Sequence, residues 1–135
     1  MRVVVDANVI ASAACWDGEA YLCLVKLARR QAFACGTEAT LAETSEVTTR
    51  LIRQKQPKHN AARRLTWYLS RVRIVSPAPL GKQRSRDPKD DPYLSAALAA
   101  EAKGLVTYDH DLLALGKPFG VEMIKPAEFL RRLPG

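Results

Sequence analysis

Acidic residues spread along this chain stand at positions where they could act on one substrate: Asp6, Glu43, the doublet Asp90-Asp91, Asp109 and Asp111. Carboxylates brought together repel one another and raise each other's pKa unless a cation lies between them. An oxygen-only set of this kind suits Mg2+ or Mn2+. An ion so held polarises a phosphoryl oxygen and lowers the pKa of a water, which phosphodiester hydrolysis requires.

These acids need elements that deliver them to one place. Val3-Val4-Val5 is a short β-branched run of the kind found in a strand buried on both faces of a parallel sheet. Asp6 follows it directly, at the carboxyl end where open α/β sheets place their ligand crevices. Glu19 to Gln31 reads as a helix with Tyr21, Leu24, Val25 and Ala28 on one face, and Phe33-Ala-Cys35 reads as a second strand. Thr37 is a plausible cap for a helix continuing to Ile52, in which Glu43 and Val47 share a face. Asn60 to Ser70 reads as a further helix and Arg71 to Val75 as a strand, with a proline-rich loop after it.

Asp91-Pro92 has the form of a cap followed by proline at the first helical position, opening an alanine-rich helix that Gly104 ends. Leu105-Val-Thr107 is a strand with Asp109 beyond it, Val121 to Ile124 a last strand, and Pro126 to Leu133 a terminal helix. Strands separated by helices predict right-handed βαβ units. The expected fold is therefore α/β, a three-layer α/β/α sandwich around a central, mostly parallel sheet, in a single domain over residues 1–135.

The length fits one core and leaves no linker to divide it. Hydrophobic residues make up 47% of the chain, yet no run is long enough to suggest a membrane span, and the start lacks the form of a signal peptide. A cytoplasmic protein is expected. Cys15, Cys23 and Cys35 match no zinc spacing and read as buried thiols.

A net charge of +7 points to a polyanionic partner. Its distribution is more telling, because Val47 to Arg86 contains eleven cations and no acid. Within that block Arg63, Arg64, Trp67 and Arg71 line up on one helical face, Arg71 where the helix passes into the strand, and Lys82, Arg84 and Arg86 follow in a basic run. A basic segment set beside an acidic site is the expected footprint for nucleic acid, with Trp67 available either to stack on a base or to pack against a partner.

Four stretches together resemble the PIN-domain nucleases, and among them the single-domain toxin ribonucleases of toxin–antitoxin pairs, the VapC type and its relatives. They are Val-Val-Asp6-Ala-Asn8-Val-Ile-Ala-Ser12, Leu41-Ala-Glu43, Asp87-Pro-Lys-Asp90-Asp91-Pro-Tyr-Leu, and Val106-Thr-Tyr-Asp109-His-Asp111-Leu-Leu. The resemblance covers nearly the whole chain. It implies an endoribonuclease dependent on Mg2+ or Mn2+, with catalytic Asp6, Glu43, Asp90 and Asp109. Asp6, Asp90 and Asp109 would be metal ligands, Glu43, Asp91 and Asp111 further candidates, and Asn8 and Thr107 supporting polar groups. It further implies RNA as substrate, a cognate antitoxin and a homodimer.

Each residue also has a plainer reading. Asp6 alone could cap a turn, Glu43 could be solvated, and Asp111 could cap the helix beginning at Leu112. Asp87 precedes a proline and shapes a turn. His59 and His110 read as surface groups. Asp90 is favoured over Asp91 as third ligand because Pro92 gives Asp91 a capping role. Other classes remain: a nucleic-acid-binding scaffold without turnover, or a structure-specific DNA nuclease. A phosphoaspartate enzyme also starts from a strand-end aspartate. The dehalogenase-like type wants an acid where Asn8 stands, and a receiver wants adjacent acids near the first strand, which are absent.

Overall fold

Val3, Val4 and Val5 occupy the centre of the molecule in the computed structural model, which describes residues 1–134. They belong to β1 (Arg2–Val5), flanked in parallel by β2 (Phe33–Gly36) and β4 (Gly104–Val106). Val4 aligns with Cys35 on one side and Leu105 on the other. β3 (Arg73–Ile74) and β5 (Glu122–Ile124) complete an all-parallel five-stranded sheet of order β3-β2-β1-β4-β5. Chain order reverses at β1, so the crevice expected at a topological switch point opens above Val5, where Asp6 lies.

Alternation along β1 divides the core into two. Val3 and Val5 face a layer containing Val9, Leu24, Leu65, Tyr68 and Phe129, from α1 (Ala7–Cys15), α2 (Glu19–Ala28), α4 (Ala61–Arg71) and α7 (Pro126–Arg132). Val4 faces Tyr93, Leu94, Ala96 and Ala97 of α5 (Asp91–Ala99) and Leu112 of α6 (His110–Leu113). The alanines of α5 let its backbone lie close on the sheet. Helices thus cover both faces, as the expected three-layer sandwich requires.

Several elements differ from the sequence expectation. A helix, α1, follows β1 directly, where the sequence offered no periodic signal. Its residues are buried almost all round, with only Asn8 and Ser12, four apart, reaching the surface, so there is no polar face to give a period. β3 is limited to two residues, and Gly104 opens β4 in place of ending a helix. α3 (Glu38–Lys55) runs past Ile52, its start fixed by reciprocal bonds between Thr37 and Thr40. All three cysteines are buried and free. No described helix is long and apolar enough to cross a membrane.

Candidate active site

Asp6 occupies the N-cap position of α1, but its carboxylate makes no capping bond. The backbone alone starts the helix, through the Val9 N–H donating to the Asp6 carbonyl at 3.0 Å. The side chain is buried, and the Thr107 hydroxyl donates to its Oδ2 at 2.7 Å. Burial raises the Asp6 pKa most, the Thr107 bond opposes the rise, and the charges of Asp109 and Glu43 add to it. The turn-capping reading of Asp6 therefore fails on geometry.

Thr107 lies at the end of β4, fully buried, and its oxygen also accepts the Asp109 N–H at 2.9 Å. One hydroxyl thus fixes two strand-end acids. Asp109 caps α6, its Oδ1 accepting from Asp111 N at 2.7 Å and Leu112 N at 3.3 Å. Asp111 is in the first turn of that helix and does not cap it. Asp109 Oδ2 has no hydrogen-bond partner among the described residues.

Asp90 and Asp91 part company. Asp87 accepts from Lys89 N at 3.0 Å and shapes a 3-10 turn over Pro88–Asp90, which turns the buried Asp90 toward Asp109 and Asp111. One carboxylate oxygen from each of these three residues lies within 4.8 Å of the other two. Asp90 Oδ2 accepts from the Ser85 hydroxyl at 2.9 Å. Burial pushes the Asp90 carboxyl up to about 6, assisted by the charges of Asp109, Asp87 and Asp6 and opposed by Ser85.

Asp91 faces the other way. Its two oxygens accept the backbone N–H groups of Arg84 and Ser85 at 2.9 and 2.8 Å. The expected helix-capping role is thereby corrected: the side chain clamps the basic loop, because the fold brings that loop back over the start of α5. The clamp leaves Asp91 little freedom to serve as a ligand, while Asp90 is free of it.

Glu43 projects from α3 and is held by Tyr93, whose phenol donates to Oε1 at 2.5 Å. Burial raises the Tyr93 pKa, as does that bond, so the phenol stays a donor. Neither Tyr93 nor Ser85 was anticipated as part of the site. The aromatic in Asp91-Pro-Tyr93 and the serine inside the basic run were the available signals, and only the tertiary fold relates them to the acids. Asn8 is exposed on α1 and has no described side-chain hydrogen bond.

The basic residues divide by position. Lys82 and Arg86 are exposed on the loop tied to Asp90 and Asp91. Arg84 is half-buried, donating to the Leu80 carbonyl and lying 5.0 Å from the Phe119 ring centroid. Arg64 is committed elsewhere: it donates to the Ala13 and Trp16 carbonyls, pairs with Asp17 at 2.7 Å, and lies 4.0 Å from the Tyr21 ring centroid. A guanidinium so occupied holds α1 and α2 against α4. Arg63 is exposed at the start of α4. Trp67 and Arg71 lie toward the opposite end, beside Phe33 at the beginning of β2. His59 bonds the Ala14 carbonyl at 2.7 Å, and His110 is exposed.

The donor set fits a hard divalent cation. Burial, and to a lesser degree the charges of neighbouring acids, raise Asp6 and Asp90, and a positive charge among them would favour the ionised form of both. Asp109 Oδ2 and Glu43 Oε2 accept no hydrogen bond among the described residues.

A family model described as PIN domain matches residues 2–111. The structure of PAE2754 from Pyrobaculum aerophilum superposes with a TM-score of 0.64 at 20% identity, over 98% of this chain and 88% of that one. VapBC2 from Rickettsia felis, solved bound to a DNA fragment from their promoter, superposes with a TM-score of 0.60 at 18% identity, over 93% of this chain and 98% of that one. At these identities the two likenesses speak to the fold alone. No curated protein matches the chain.

Proposed function

The chain belongs to the PIN-domain family, and on that premise we propose that it is a divalent-metal-dependent endoribonuclease acting as the toxin of a toxin–antitoxin pair. The observation that carries the reading is the convergence of Asp90, Asp109 and Asp111, with the buried Asp6 near enough to feel the charges of Asp109 and Glu43. The likeness to a VapBC complex favours an antitoxin partner. A cytoplasmic homodimer of single-domain chains over 1–135 belongs to the same proposal.

Asp90, Asp109 and Asp111, whose oxygens converge, would hold Mg2+ or Mn2+ together with Asp6, with Glu43 at its margin. When bound, the cation supplies the charge that polarises a phosphoryl oxygen and acidifies a water. Everything else comes from side chains. Thr107 orients Asp6 and sets the backbone of Asp109, and Ser85 orients Asp90. Tyr93 occupies Glu43 Oε1, leaving Oε2 to accept a proton from the attacking water as its oxygen bonds to phosphorus. The leaving ribose oxygen departs as the P–O bond breaks and takes up a proton from solvent. Lys82 and Arg86, on the clamped loop, meet flanking phosphates; Asn8 offers a further polar contact at the rim.

The test is cleavage of single-stranded and structured RNA by the purified protein with Mg2+ or Mn2+, stopped by chelator. Cleavage of DNA in preference to RNA would favour the DNA-nuclease reading. Binding without cleavage under any divalent ion would favour a scaffold.

A further inference from the structure

At the opposite end of the sheet from the acids lies a cleft of about 450 Å3 whose walls include Phe33, Trp67, Tyr68, Arg30, Arg71 and Arg73. Phe33 aligns with Arg2 at the beginning of β1, whereas Asp6 follows the end of that strand. Four residues of strand separate the two levels by roughly 13 Å. The Arg73 guanidinium stands 4.7 Å from the Phe33 ring centroid and that of Arg71 5.9 Å from Trp67. Phe33 is exposed, as are all three arginines. None of them enters an ion pair among the described residues, and no carboxylate lines the cleft.

We propose that this cleft is a second RNA contact, taking a base against Trp67 or Phe33 and its phosphate between Arg30, Arg71 and Arg73. Aromatic faces interleaved with guanidinium groups suit a ligand that is both planar and anionic. The volume falls within the usual ligand-site range of roughly 300–1,000 Å3. Each nucleotide brings a phosphate with its base, whereas a peptide would need acidic and aromatic side chains arranged to match. The choice of RNA as ligand rests on the ribonuclease reading. The nucleotide held here belongs to a part of the strand remote from the bond that is cut, so the cleft adds affinity and orients the chain without touching the reacting atoms.

The test measures binding alone, on Asp6→Asn protein without divalent ion, so its outcome is independent of turnover. With Trp16→Phe added, Trp67 is the remaining tryptophan. A short single-stranded oligouridylate should quench Trp67 fluorescence. Arg71→Ala with Arg73→Ala, both exposed positions outside the core, should weaken its binding about tenfold. Absence of quenching, unchanged affinity in the double variant, or tighter binding of an acidic aromatic peptide than of the RNA would each overturn the assignment.

Discussion

Tyr93 and Glu43 meet across the α3–α5 seam, the phenol donating to Oε1 at 2.5 Å. Tyr93 is buried and Glu43 is partly exposed, so the tyrosine fixes the acid rather than the reverse. Residues that orient metal-site carboxylates commonly change metal affinity by roughly 10–100-fold when removed. Tyr93→Phe should therefore weaken Mn2+ binding at least about tenfold, while costing roughly 1 kcal/mol of fold stability for the lost hydrogen bond. Calorimetric titration with Mn2+ checks this; unchanged affinity would mean that Glu43 needs no such support.

The raised Asp90 carboxyl makes stability depend on pH in an unusual direction for an acid. Folded Asp90 titrates near 6 and its ordinary value is 3.8, so between these the folded state holds more protons than the unfolded one. Metal-free protein should thus lose stability as pH rises from about 4 to about 6, by on the order of 2–3 kcal/mol from this group. Mg2+ or Mn2+ should restore stability at neutral pH and do little below pH 4, where Asp90 is protonated. Thermal melts with and without the ions would show it, and the same ion response at both pH values would contradict it.

Asp90 and Asp91 should give separable defects. Asp90→Asn should abolish Mn2+ binding. Asp91→Asn frees the main chain of Arg84 and Ser85 and loosens the loop carrying Lys82 and Arg86. It should raise KM for RNA several-fold with Mn2+ affinity nearly retained. The reverse pattern would make Asp91 the third ligand.

Arg64 should behave as a structural residue despite its place in the basic block. Arg64→Ala removes two bonds to main-chain carbonyls and a ring contact, and should lower stability by about 1–3 kcal/mol. Its salt dependence of RNA binding should match the parent's. Lys82→Ala and Arg86→Ala should each leave stability nearly unchanged and reduce the log–log salt slope by about 0.7 if each meets one phosphate. Denaturant melts paired with salt titrations separate these outcomes.

Much of the architecture was legible because local pattern and tertiary role agree. The valine run of β1 is buried on both faces, and the small residues of α5 match its close approach to the sheet. α1 was not legible, since a helix buried nearly all round has no amphipathic period. The strand-end acids could be read because a charge beside an apolar strand requires an explanation. Their supports could not: Thr107 was visible only as a neighbour in sequence, while Ser85, Tyr93 and the Asp91 clamp depend on loop and helix contacts that no spacing encodes. The placement of the helical cations was hidden for the same reason. Arg64 and Arg71 share α4, yet one is drawn into the α1–α2 junction and the other stands at the far end of the sheet.

The proposed ribonuclease activity depends most directly on Asp6, held by Thr107 above the valine strand, as a metal ligand. Asp6→Asn keeps the size of the side chain, removes its charge, and leaves an oxygen for the Thr107 hydroxyl. Without metal the variant should melt no lower than the parent, since the buried charge is gone, and it should lose Mn2+ binding and lose RNA cleavage by at least about a thousandfold, or roughly 4 kcal/mol of transition-state stabilisation. Cleavage at the parent rate, still inhibited by chelator, would contradict the assignment.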